Sequence, residues 1–127
     1  MELYIGGYAQ GKLNYVLNKT GIPISKVYDA AETVPGCSLT EAAVINHFHI
    51  LVKNFLLEGK NPEEFIRKIL IENPGLIIIS DEVGNGIVPA DAQKREYRER
   101  LGRLLCNLAE KAERVERILC GIGQKIK

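Results

Sequence analysis

The chain has 127 residues, of which 46% are hydrophobic and 26% are charged, with a formal net charge of +1. These proportions are typical of a globular protein, and the length predicts a single domain over residues 1–127. The balanced charge excludes a strongly basic nucleic-acid module and an acidic disordered tail. The apolar run at residues 76–79 is far too short to span a membrane, and the first residues lack a signal-peptide pattern. We therefore expect a cytoplasmic protein without nucleic-acid or membrane partners.

The first part of the sequence predicts two short strands separated by a helix. Residues 3–5 have the pattern of an apolar strand that ends in two glycines, and residues 12–19 follow as a helix. Residues 26–28 predict the second strand, which ends at Asp29. Residues 30–37 include a Pro-Gly pair and are expected to be irregular.

A capping-box pattern at residues 38–41 predicts the start of a long helix. The Ser38 hydroxyl can accept a hydrogen bond from the amide of Glu41, whose side chain can reach back. Apolar side chains then recur at steps of three and four, so the helix is expected to reach about Glu58. His47 and His49 would point about 200° apart on such a helix, so we do not expect them to ligate one metal ion together. The recurring apolar positions are Val44, Phe48, Leu51, Val52, Phe55 and Leu56.

The second half continues the alternation of helices and strands. Pro62 begins a further helix, and the apolar, largely β-branched residues 75–80 predict a strand buried on both faces, as in a parallel sheet. A long helix over residues 91–113 and a last strand over residues 115–120 follow. The order predicts an α/β protein, namely a three-layer P-loop NTPase-like fold with a mainly parallel sheet.

Ligands in such folds bind at the carboxyl ends of the strands. This rule brings residues 6–13, Asp29 and residues 80–89 to the same edge of the sheet.

The segment after the first strand fits the phosphate-loop pattern G-x-x-x-x-G-K. It directly follows a strand and opens a helix, so its backbone amides and the positive helix end can surround phosphate oxygens, and Lys12 can reach the terminal phosphates. A phosphate loop normally continues with Ser or Thr to hold Mg²⁺, and this chain has Leu13 instead. An unliganded glycine-rich turn is the alternative. The predicted nucleotide-binding residues are Gly6, Gly7, Tyr8, Ala9, Gln10, Gly11, Lys12 and Leu13.

A second polar segment, residues 80–89, follows the best-defined strand. Asp81 and Glu82 could hold a metal ion or accept a proton, and the glycines that follow would let the backbone approach a ligand. An ordinary solvated turn has the same composition.

Four segments in this order resemble the bifunctional adenosylcobinamide kinase / adenosylcobinamide-phosphate guanylyltransferase family of cobalamin biosynthesis. The phosphate loop corresponds to residues 6–13, and the family's N-E-V-G-x-G-I-V-P signature corresponds to residues 81–89, with Asp81 in place of Asn. An arginine-rich helix and a glycine-containing tail complete the resemblance. Their matching residues are Arg95, Tyr97, Arg98, Glu99, Gly102, Arg103, Gly121, Gly123 and Lys127.

The middle of the chain departs from the family. The family carries a longer segment there, with the histidine that takes the guanylyl group, and neither His47 nor His49 has that sequence context. Asp29 is the candidate for the family's strand-end carboxylate. An alignment through Asn54 places Asn46 at that position instead, inside the predicted helix.

The resemblance implies a nucleotide-binding protein of cobalamin biosynthesis that uses ATP or GTP, acts on adenosylcobinamide and forms homo-oligomers. If active, it is a phosphotransferase in which Lys12 and Glu82 are catalytic, and Asp29 and Glu82 are the residues that would hold Mg²⁺. Guanylyl transfer is not expected without the histidine segment. The alternative is a catalytically reduced homologue that binds a nucleotide or a corrinoid, or serves in an assembly.

Overall fold

The computed structural model describes residues 1–34, 36–82 and 91–127. Within these ranges, the strands and helices alternate along most of the chain. Their bounds are β1 Glu2–Gly6, α1 Lys12–Thr20, β2 Val27–Asp29, β3 Val44–Asn46, α2 Phe48–Leu57, α3 Pro62–Glu72, β4 Ile77–Asp81, α4 Ala92–Lys111, β5 Arg114–Leu119 and β6 Ile122–Lys125.

The strands form one sheet in the order β2-β3-β4-β1-β5-β6. The pairs from β2 to β5 are parallel, and only the β5–β6 pair is antiparallel. Strand β4 lies inside the sheet between β3 and β1, and four of its five residues are buried. The predicted mainly parallel α/β fold is confirmed.

Successive strand residues point to opposite faces of the sheet, and each face has its own hydrophobic core. Ile78 of β4 packs with side chains of α2, α3 and α4, including Phe48 and Leu101. Ile77 and Ile79 pack on the other face, against α1. The continuous apolar run is therefore explained by burial on both faces.

Two helices begin at side-chain caps. The Asn61 side chain accepts a hydrogen bond of 2.9 Å from the amide of Glu64 at the start of α3. Asp91 does the same for α4, where its carboxylate accepts from the amide of Gln93 at 2.8 Å. Among the described residues, no helix is long and apolar enough to cross a membrane.

The helix predicted from Ser38 is wrong in its first ten residues. The Ser38 hydroxyl lies 3.1 Å from the Thr40 hydroxyl in a turn, and helix α2 begins only at Phe48. Val44 and Ile45 belong to β3 and are completely buried between β2 and β4. Burial on both faces of a sheet suits these β-branched side chains and overrides the capping pattern.

The end of the chain also differs from the prediction. Residues 122–125 form β6, which pairs with β5 through a two-residue turn. Cys120 and Gly121 occupy this turn with φ of +50° and +75°. Positive φ at both central residues is the geometry of a tight hairpin turn.

Candidate functional site

The loop between β1 and α1 passes along the carboxyl edge of the sheet. Ala9 and Gly11 have φ of +55° and +78°, and Gly11 is the residue that precedes the first turn of α1. A β-carbon at Gly6 would lie 2.5 Å from the carbonyl oxygen of Ile118, so the approach of β5 requires glycine there. The loop therefore turns sharply and presents the start of α1 to the sheet edge.

Hydrogen bonds fix this loop to two neighbouring elements. The amide of Glu82, just after β4, donates to the carbonyl of Gly6 at 2.8 Å. Gln10 binds the β5–β6 turn, where its side-chain oxygen accepts from the Cys120 amide at 2.7 Å and its carbonyl accepts from Gly121 at 2.8 Å. Tyr8, at the tip, is 85% exposed.

Lys12 is buried at the first position of α1, with its side chain directed back under the loop. Its Nζ donates to the carbonyl of Gly7 at 2.7 Å and lies 2.7 Å from Oδ1 of Asp81. Asp81 ends β4, and the register pairs it with Gly6 of β1. A cation is thus held between the loop and a carboxylate.

The other oxygen of Asp81 faces His49. The His49 Nε2 lies 3.4 Å from Asp81 Oδ2, and its Nδ1 accepts a hydrogen bond of 3.1 Å from the Asp81 amide. Burial lowers the pKa of His49 even though the Asp81 carboxylate opposes this shift. The ring is therefore neutral, with its proton on Nε2. Tyr97 of α4 donates to the His49 carbonyl at 3.0 Å, and burial raises the pKa of Tyr97 to about 12.

Asp29 and Asn46 end β2 and β3 side by side, and His47 follows Asn46 directly. The His47 Nδ1 lies 2.6 Å from Oδ1 of Asp29, while Asn46 Nδ2 donates to Oδ2 at 3.0 Å. The Ala31 amide also donates to Oδ1, at 3.0 Å. Burial would raise the pKa of Asp29, but these hydrogen bonds lower it overall.

The two histidines lie close together, contrary to the helical prediction. Their ring centroids are 5.7 Å apart, in an edge-to-face arrangement. The prediction fails because His47 is not helical: its φ of +56° places it before the first turn of α2.

The predicted metal-binding residues Asp29 and Glu82 both contact other protein groups in the structure. Both Asp29 oxygens accept hydrogen bonds from protein groups, and Glu82 Oε2 lies 3.2 Å from a guanidinium nitrogen of Arg117. Leu13 packs with the core on the α1 face of the sheet and has no atom that could bind a cation. In the part of the chain that the structure describes, no three His, Cys, Asp or Glu side chains are placed to share a metal ion.

Sequence reasoning identified the edge of the sheet but not all the residues that meet there. The sequence pattern singled out both Asp81 and Glu82, but it placed Asn46 and His47 inside a helix. The apolar residues 42–45 followed by Asn46 were the available signal, since a buried strand that ends in a polar residue has this pattern. The glycine-rich residues 83–89 of the resemblance lie outside the described part.

The sheet is mainly parallel, and a glycine-rich turn leads from its inner strand β1 into a helix that begins with lysine. These features define the fold of the P-loop NTPase-like proteins. A family model described as cobinamide kinase / cobinamide phosphate guanyltransferase matches residues 24–126. The chain belongs to this family, which connects it with cobalamin biosynthesis and nucleotide binding. The match begins after the loop at residues 6–13 and does not cover it. A search of curated proteins found no match.

Proposed function

We propose that the chain binds ATP or GTP at the β1–α1 loop and transfers the terminal phosphoryl group to a hydroxyl of cobinamide. The observation that carries the proposal is Lys12, which is held at the start of α1 against Gly7 and Asp81. Family membership supplies the reaction and its substrates.

Three features of the loop support phosphate binding. Left-handed backbone at Ala9 and Gly11 is the conformation that turns successive amides toward an anion. The helix end adds partial positive charge, and Lys12 adds a full one. A triphosphate carries more negative charge than Asp81, so we propose that Lys12 exchanges the carboxylate for phosphate oxygens when the nucleotide binds.

Catalysis in such a site consists largely of positioning and of neutralising charge on the transferred group. Lys12 is the predicted catalytic residue whose surroundings support this role. Glu82 would have to leave Arg117 before it could orient the attacking hydroxyl. Because Asp29 and Glu82 already contact other protein groups, we assign no step to Mg²⁺.

Binding without transfer is the second candidate function. Leu13 favours it, because this position cannot supply the Mg²⁺ ligand of an active phosphate loop. The absence of the family's guanylyl-accepting histidine segment removes the second activity from the proposal.

Transfer of a labelled γ-phosphate from ATP or GTP to cobinamide distinguishes the two candidates. We expect label in a cobinamide phosphate product, with the same protein binding the nucleotide in a parallel titration. Nucleotide binding without labelled product would favour the second candidate. Absence of both would contradict the proposed function.

A further inference from the structure

His47 is held by a carboxylate whose own position is fixed. Asp29 Oδ1 lies 2.6 Å from His47 Nδ1, and its two oxygens also accept from the Ala31 amide and the Asn46 side chain. These contacts prevent rotation of the carboxylate. They also require Nδ1 to carry the proton, since an ionised carboxylate only accepts.

When the ring is neutral, this arrangement leaves Nε2 with a free electron pair. The His47 side chain is 37% exposed, and Nε2 has no hydrogen bond to any residue in the described ranges. A partly exposed imidazole oriented by a half-buried carboxylate is an arrangement typical of a general base.

His47 belongs to the same edge cluster as Lys12. Its ring lies against His49, which contacts Asp81, which in turn binds Lys12. These contacts connect His47 with the loop along the same edge of the sheet.

The backbone at His47 is strained. A φ of +56° is uncommon for a residue with a β-carbon and costs about 1–2 kcal/mol. The amides of Ile50 and Leu51 donate to the His47 carbonyl at 2.9 and 3.3 Å, which holds the residue in place at the start of α2. Such strain occurs preferentially at functional sites.

We propose that His47, oriented by Asp29, is the general base of the phosphoryl transfer. The proposal rests on the function proposed above. The acceptor hydroxyl gives its proton to Nε2 while its oxygen forms a bond to the terminal phosphorus of the nucleoside triphosphate. The bond from that phosphorus to the bridging oxygen breaks, and the electron pair leaves with the nucleoside diphosphate.

The role predicts a transfer rate that depends on pH, because a protonated imidazole cannot accept a proton. The charged and titratable groups around His47 come from several elements. They are Asp29 on β2, His49 on α2 and, beyond His49, Asp81 on β4 and Lys12 on α1.

The test compares nucleotide affinity and the pH profile of phosphoryl transfer to cobinamide for the wild type, His47→Gln and Asp29→Asn. We expect His47→Gln to bind nucleotide as the wild type does, to lose about 100-fold or more in kcat, and to lose the acidic limb of the profile. Asp29→Asn should lose less, because the base remains but is poorly oriented. Lys53→Gln, an exposed position on the same helix, is the matched control and should keep the wild-type profile.

The transfer rate of His47→Gly should also be measured with added imidazole, because a purely structural role of His47 predicts that imidazole leaves this rate unchanged. Partial recovery of the rate at high imidazole supports the general-base role. A wild-type rate and profile in His47→Gln would overturn the role of His47 alone. A wild-type protein that binds nucleotide but transfers nothing would overturn both the transfer and this role.

Discussion

Lys12 Nζ and Asp81 Oδ1 lie 2.7 Å apart where β1 and β4 end side by side. The lysine is 8% exposed and the aspartate 17%, so solvent screens this pair much less than a surface pair. The carboxylate holds the cation beside the loop, and in the proposed function it competes for Lys12 with the incoming phosphate.

Replacing Asp81 by Asn should therefore tighten triphosphate binding while it destabilises the unliganded protein. The variant frees Lys12 for phosphate but leaves a nearly buried cation unpaired, at a cost of about 1–3 kcal/mol. Calorimetric titration with ATP and urea unfolding measure the two effects. Weaker ATP binding by Asp81→Asn would contradict the exchange of carboxylate for phosphate.

Leu13→Ser should make nucleotide affinity depend on Mg²⁺, because a hydroxyl at this position supplies the ligand that the loop lacks. Leu13 packs on the core of the α1 face, so truncation should also cost about 1–2 kcal/mol in the free energy of unfolding. Leu13→Ala is the matched control, with a similar loss of packing and no hydroxyl. Equal Mg²⁺ dependence in the two variants would show that the hydroxyl has no such role.

Asn46→Asp should create a cation site beside Asp29. Asn46 Nδ2 lies 3.0 Å from Asp29 Oδ2, so the variant places two carboxylates in contact. Their repulsion should lower the free energy of unfolding by about 1–3 kcal/mol, and Mg²⁺ should restore part of it. Urea unfolding with and without Mg²⁺ measures this, with Asn46→Ala as the control. A loss of stability that Mg²⁺ leaves unchanged would argue against the expected site.

Glu116 should make stability fall in acid. It is buried on β5, and its carboxylate accepts hydrogen bonds from Lys19, Tyr15 and Arg114. Burial alone would raise the pKa of Glu116, but these donors lower it from 4.5 to about 2. A carboxyl whose pKa is lowered by folding stabilises the protein above the unfolded pKa, and this contribution is lost as the pH falls from about 5 to about 2.

The contribution of Glu116 is about 3 kcal/mol at neutral pH. Unfolding of Glu116→Gln should show a weaker dependence on pH in this interval than unfolding of the wild type, together with lower stability at pH 7. Parallel pH dependences for the two proteins would contradict the assignment. Glu110→Gln, an exposed position on α4, serves as the control and should unfold like the wild type.

The sequence predicted most elements because their patterns are long or chemically distinctive. Residues 76–79 form a continuous apolar run that is typical of a buried strand. Asn61 and Pro62 mark a helix start, because proline lacks the amide hydrogen that the first turn of a helix leaves unpaired. Strand β3 has three residues, too few to show a period, and its Val44 happens to continue the apolar spacing of α2. Only pairing with β2 and β4 decides its structure, and pairing is not visible in a local pattern.

The sequence predicted at which edge of the sheet the candidate site lies, but not which side chains contact one another there. The rule that ligands bind at strand ends predicts from the sequence alone that Gly6, Asp29 and Asp81 lie at the same edge of the sheet. The distinction between Asp81 and Glu82 depends on which of two successive side chains points to Lys12. The proposed role of His47 depends on the left-handed backbone of that residue, which sequence does not specify for histidine.

The most direct test of the account is a calorimetric titration of the wild type and Lys12→Ala with ATP and GTP. A phosphate site at the β1–α1 loop predicts saturable binding of at least one nucleotide by the wild type and no detectable binding by Lys12→Ala. Lys60→Ala, which removes an exposed lysine far along the chain, should bind as the wild type does. Equal affinity of Lys12→Ala and the wild type would contradict a phosphate site at this loop.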